Sequence, residues 1–76
     1  MSVSVLFFGA TADVVGKRKI EIISATSTQL LENIISEYPR LASHKLLIAV
    51  NQEYAADTVL LDDGDEVAIF TAVSGG

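Results

Sequence analysis

Residues 26–39 read Thr-Ser-Thr-Gln-Leu-Leu-Glu-Asn-Ile-Ile-Ser-Glu-Tyr-Pro, and this stretch decides the fold. Leu30, Leu31, Ile34, Ile35 and Tyr38 recur at i, i+1, i+4, i+5 and i+8, one apolar stripe of an α-helix. Glu32, Asn33, Ser36 and Glu37 fall on the opposite side. Thr26 and Gln29 have the spacing of a capping box, in which the threonine hydroxyl accepts an N–H of the first turn. Pro39 ends the helix, because the residue before a proline is pushed out of helical geometry. This helix is the clearest element of the chain.

On the N-terminal side, Ser2 to Phe8 alternates in the manner of a strand, and Arg18 to Ile23 resumes that composition with Ile20 and Ile22 on one face. Between them Gly9 to Lys17 reads as a long loop with Gly16 as a turn residue, joining an antiparallel pair. On the C-terminal side, Leu46 to Val50 has strand length. Asn51-Gln52 is a turn in which Gln is a poorer second residue than Gly. Thr58 to Leu61 is a short strand or extended segment, Asp62-Asp63-Gly64-Asp65 a turn and Glu66 to Phe70 the last strand. One helix cannot cover both faces of a sheet, so the expectation is a two-layer α+β domain with a mixed sheet of about five strands. Placing the first and last strands at its centre gives the β-grasp arrangement. The division expected is a β-grasp domain over 1–70 and a flexible C-terminal Gly-Gly arm over 71–76.

Composition narrows the chemistry. Half of the 76 residues are hydrophobic, and a chain of this size buries roughly 60% of its unfolded surface, enough for one core. With no Cys and with His44 as the one histidine, disulfides, thiol nucleophiles and Cys- or paired-His metal sites are excluded. Five Lys and Arg against 10 acids give a net charge of −5, which disfavours nucleic-acid binding. No apolar run approaches the ~20 residues that span a bilayer, so a cytoplasmic protein is expected, with no nucleic-acid or membrane partner.

Few features carry chemistry. Val73-Ser74-Gly75-Gly76 closes the chain. Without Cβ atoms, a Gly-Gly end threads channels that side chains would block, and its ionised carboxylate is a nucleophile toward the α-phosphate of ATP. Six extended residues reach about 20 Å, far enough to enter another protein's active site. A frayed tail is the competing reading, and the residues leave both open. Asp62, Asp63, Asp65 and Glu66 surround Gly64 without the ligand spacing of an EF-hand, so a solvated turn is preferred to a metal site. Lys17-Arg18-Lys19 reads as a solvated strand edge, and His44 as a loop histidine. No nucleophile elbow or phosphate-binding glycine pattern is present, so no catalytic residue of the chain's own is expected. If Val3, Val5, Phe7, Val67 and Ile69 face the helix, then Leu6, Phe8, Ala68 and Phe70 form an apolar patch on the other face. Such a patch marks a partner site.

Several of these stretches, taken together, resemble a known family. Val5-Leu6-Phe7-Phe8, the Val15-Gly16 loop, Leu47-Ile48-Ala49-Val50-Asn51-Gln52, Leu-Asp-Asp-Gly-Asp-Glu-Val over 61–67 and the terminal Val73-Ser74-Gly75-Gly76 closely resemble the small subunits of molybdopterin synthase. The resemblance spans essentially the whole chain and implies a ubiquitin-like β-grasp fold and a sulfur carrier. It implies that Gly76 is adenylated by a ubiquitin-activating-type enzyme that uses ATP, then thiocarboxylated. The arm Val73, Ser74, Gly75 and Gly76 then enters the large subunit and gives sulfur to cyclic pyranopterin monophosphate. It further implies a heterotetramer of small and large subunits, a non-catalytic role as sulfur-donating co-substrate, no bound cofactor, and partner contact at Phe8 and Phe70. Thr71-Ala72 stand where the family commonly has a pair of prolines, which leaves open a thiamine-pathway sulfur carrier; a ubiquitin-like modifier, its activated glycine joined to a lysine amine, is a third reading.

Overall fold

The computed structural model describes residues 1–55 and 57–71. Its elements are β1 (Ser2–Phe7), α1 (Ala10–Val15), β2 (Lys19–Ile23), α2 (Ser27–Glu37), a 3₁₀ turn over Pro39–Ser43, β3 (Leu46–Val50), β4 (Glu53–Tyr54) and β5 (Glu66–Thr71). The strands form one mixed sheet in the order β2-β1-β5-β3-β4. β1 and β5 run parallel at its centre, and the other pairings are antiparallel. This is the expected α+β β-grasp, with α2 as the main helix.

Side-chain parity follows the period of two. Val3, Val5 and Phe7 of β1 and Val67 and Ile69 of β5 point to the helix side and join Leu30, Ile34, Leu41 and Leu61 in one buried cluster. Leu30 and Ile34 of α2 are fully buried, each contributing about 1.5–3 kcal/mol relative to exposure. Leu31, Ile35 and Tyr38, the flanks of the same stripe, pack only partly against the cluster. Leu31 is therefore a border residue of the core. The Thr26 hydroxyl accepts the Gln29 N–H at 3.1 Å, as the capping box requires. The Gln29 side chain returns its bond to the Ala25 N–H at 3.0 Å, one residue outside the cap.

Two expectations are corrected and a third is narrowed. Gly9–Lys17 is not a plain loop but holds α1, because Thr11 and Val15, four residues apart, bury against the core. Of the two readings of Thr58–Leu61, the short strand is set aside and the extended segment stands: Leu60 makes an isolated bridge to Thr26 and is exposed. The last strand continues one residue beyond Phe70, since Thr71 pairs with Leu46. Asn51 and Gln52 adopt φ of 50° and 70°, making the two-residue turn of the β3–β4 hairpin despite the unfavourable glutamine.

Candidate functional site

The sheet face away from α2 is built by the pairing registers. Leu6 lies opposite Ala68, Ala68 opposite Ala49, Phe70 opposite Leu47 and Ala49 opposite Tyr54. Phe8 extends β1 by one residue, its N–H donating to the Ile69 carbonyl at 3.1 Å, which sets it beside Phe70. The structure thus brings together all four patch residues expected from the sequence: Leu6, Phe8, Ala68 and Phe70. Phe8 is 50% exposed, and the other three are half-buried.

Leu47, Ala49 and Tyr54 enlarge the patch, and none of them was expected there. The run Leu46–Val50 is apolar throughout, so periodicity could not say which residues face outward; pairing with β5 does. The Tyr54 and Phe70 rings meet edge to face with centroids 5.7 Å apart. They come from strands on either side of β3, and the small side chain of Ala49 between them lets the rings close over that strand.

At the edge of this face the chain leaves β5 at Thr71. Val73, Ser74, Gly75 and Gly76, expected as the arm, lie outside the described residues. The exit is held by Thr11, which is fully buried and was missed within the supposed loop. Its single hydroxyl proton is shared between the carbonyls of Phe8 at 2.7 Å and Ile69 at 3.0 Å, and its oxygen accepts the Phe8 N–H at 3.0 Å. One side chain therefore ties the ends of both central strands together. Gly9 makes room for it: at φ 58° and ψ −131° the chain turns sharply into α1, a conformation that glycine adopts without steric cost. The signal for α1 was the i, i+4 spacing of Thr11 and Val15, too short a pattern to separate from a loop.

The acidic turn lies at the opposite end of the sheet and is a brace. Asp65 accepts the Asp62 N–H at 2.8 Å and an Asn51 amide N–H at 2.9 Å, and the Asn51 amide oxygen accepts the Glu66 N–H at 2.9 Å. Asp63 accepts the Ser2 N–H at 2.7 Å. The backbone donor of Asp62, and then the Asn51 side chain, hold the Asp65 carboxyl below its ordinary 3.8. Gly64, at φ 86°, supplies the positive-φ position of the turn. Among the described residues, no group of three or more His, Cys, Asp or Glu is placed to hold a metal ion. His44 closes the 3₁₀ turn, and Lys19 begins the edge strand β2.

Residues 5–76 match the model of the ThiS family. The chain is 37% identical to the molybdopterin synthase sulfur carrier subunit of Mycobacterium tuberculosis, over 100% of this chain and 99% of that protein. It is 36% identical to the subunit of the same name from Escherichia coli, over 97% and 99%. Among solved structures, a molybdopterin converting factor subunit 1 from Pyrococcus furiosus superposes with a TM-score of 0.88 at 26% identity, over 96% and 99% of the two chains. Small archaeal modifier protein 1 of Haloferax volcanii gives 0.84 at 27%, over the whole of both. A chain in the complex of subunits 1 and 2 of the molybdopterin-converting factor of Helicobacter pylori gives 0.74 at 26%, also over the whole of both.

Proposed function

This chain belongs to the ThiS family, and on that premise we propose that it is the sulfur carrier subunit of a molybdopterin synthase, with Gly76 as the sulfur-bearing residue. The observation that carries this reading is the end-to-end similarity to sulfur carrier subunits, in a chain whose sequence closes on Val73-Ser74-Gly75-Gly76. The fold suits it: the arm follows a central strand and starts beside a broad apolar face, so that docking the face also aims the arm. The Helicobacter pylori complex of subunits 1 and 2 supports a large-subunit partner.

In this scheme the Gly76 carboxylate attacks the α-phosphorus of ATP on an adenylyltransferase and pyrophosphate leaves. A sulfur nucleophile then displaces AMP, leaving a thiocarboxylate. Inside the large subunit the thiocarboxylate sulfur passes to cyclic pyranopterin monophosphate, and water restores the carboxylate. ATP and the catalytic groups belong to the partners; this chain supplies the terminus and the docking face, in the cytoplasm, within a heterotetramer. The slim Gly75 and Gly76 meet the steric demand of a narrow channel.

Intact-mass analysis after incubation with the activating enzyme, ATP and a sulfur source tests the reading. An oxygen-to-sulfur exchange at the terminus, followed by molybdopterin formation with the large subunit, supports it. The likeness to a small archaeal modifier protein favours a second reading, conjugation to lysine, for which adducts with other proteins are the signature. Sulfur delivery to thiazole synthase and none to the pterin would move the assignment to the thiamine pathway.

A further inference from the structure

The net charge of −5 conceals a strong polarity along the strands. Lys17, Arg18, Lys19, Arg40 and Lys45 are the chain's five Lys and Arg residues, and all are exposed. The fold gathers them at the end where β5 leaves the sheet. Lys19 is in register with Leu6, and the Arg18 carbonyl accepts the Phe7 N–H at 2.8 Å. Arg18 also lines a hollow with Phe8 and Gly9. Lys45 precedes Leu46, the partner of Thr71. Arg40 lies two residues beyond Tyr38, whose ring packs against Phe7.

Among the described residues, three acids lie next to these cations, and Glu21 is one of them, lining a hollow with Lys17. Asp13 borders Lys17 and Arg18, and Glu37 borders Lys17. The opposite end holds Glu53, Asp62, Asp63, Asp65 and Glu66, tied to the starts of β1 and β5 through Ser2 and Val67. Strands of six residues separate the ends by about 20 Å. The screening length at physiological salt is about 8 Å. A surface approaching the arm end therefore meets the cations, and the distal acids are screened from it.

We propose that this cationic collar docks against an acidic rim on the partner protein, around the opening that receives the arm, and steers the carrier to approach arm first. The proposal rests on reading the C-terminus as an inserted arm. It adds a charged, rate-setting border to the apolar face, which by itself is indifferent to approach direction. A polyanion such as RNA also attracts cations, but it is long enough to meet the distal acids as well, so the net charge opposes it.

The test is stopped-flow association with the cognate large subunit, from about 0.01 to 1 M NaCl. Wild type is compared with a Lys17→Glu/Arg18→Glu/Lys19→Glu triple variant and its Gln counterpart, each first shown to melt cooperatively; the Gln set also serves if the Glu set does not fold. Association of the Glu variant is expected to fall about 10-fold or more at low salt. The Gln variant should fall between it and wild type, and the differences should vanish at high salt with dissociation rates little changed. At about 0.15 M NaCl, Asp62→Asn/Asp63→Asn should alter association by less than about twofold, because those charges then lie beyond the screening length. Equal or faster association of the Glu variant, loss confined to the dissociation rate, or binding of single-stranded RNA by wild type at about 0.15 M salt would overturn the proposal. The failure of the sulfur-carrier reading is distinguishable, because it shows as an unchanged terminal mass whatever the salt dependence of docking.

Discussion

Thr11→Val removes one hydroxyl from the junction where the central strands end, and the structure sets the size of the loss. Two hydrogen bonds disappear: the one donated by the single hydroxyl proton, shared between the Phe8 and Ile69 carbonyls, and the one from the Phe8 N–H. At about 1 kcal/mol net each, simple addition would predict about 2 kcal/mol. No backbone group is orphaned, however. The Phe8 N–H keeps the Ile69 carbonyl at 3.1 Å, and the Phe8 carbonyl keeps the Thr11 N–H at 3.2 Å. The added methyl also stays buried, since Thr11 is 0% exposed. These offsets put the loss at about 1–2 kcal/mol, or a fall in Tm of about 4–16 °C for a domain of this size. Urea and thermal melts measure it, and amide exchange locates it: the Phe8 N–H should exchange faster in the valine variant and not in Thr11→Ser. A valine variant within about 0.3 kcal/mol of wild type, with unchanged exchange at Phe8, would refute the role assigned to Thr11 as the clamp of the arm's exit.

Phe70→Ala should weaken large-subunit association by about 2 kcal/mol while costing less in folding than Ile69→Ala, as titration calorimetry and melts of both would show; unfolding with binding spared would mean that the inside and outside faces are exchanged. Gln52→Gly should stabilise the protein by about 0.5–1 kcal/mol in urea melts, since Gln52 sits at φ 70°, where a Cβ is strained; a destabilised variant would show that the glutamine side chain carries a contact of its own. Asp65 has a depressed carboxyl in the folded state, so its contribution to stability is present above the ordinary 3.8 and is lost as pH falls through that value toward the lower folded one. Acid melts should show this decline, and Asp65→Asn should flatten it; an unchanged acid limb would locate the dependence in other carboxylates.

The sequence determined the elements whose signals are local. The helix over 27–37, its Thr26 cap, the Gly64 turn and the alternation of Val3, Val5 and Phe7 follow from spacing, because a period of 3.6 or 2 is fixed by backbone geometry alone. The same alternation predicted Leu6, Phe8, Ala68 and Phe70 on one outer face, and the parallel register of β1 and β5 makes them neighbours. Tertiary structure alone decided the rest. Leu47, Ala49 and Tyr54 joined the face only through pairing with β5 and β4, since a uniformly apolar run carries no period. α1 was too short to declare itself, and it forms because Thr11 finds two strand-end carbonyls from residues 8 and 69. Thr58–Leu61, strand-like in composition, found one bridge and no ladder, because strand structure depends on a partner as well as on propensity. The charge polarity has the same origin: composition fixed the sum at −5, and the fold put the cations at one end by bringing positions 17–19, 40 and 45 around residue 71.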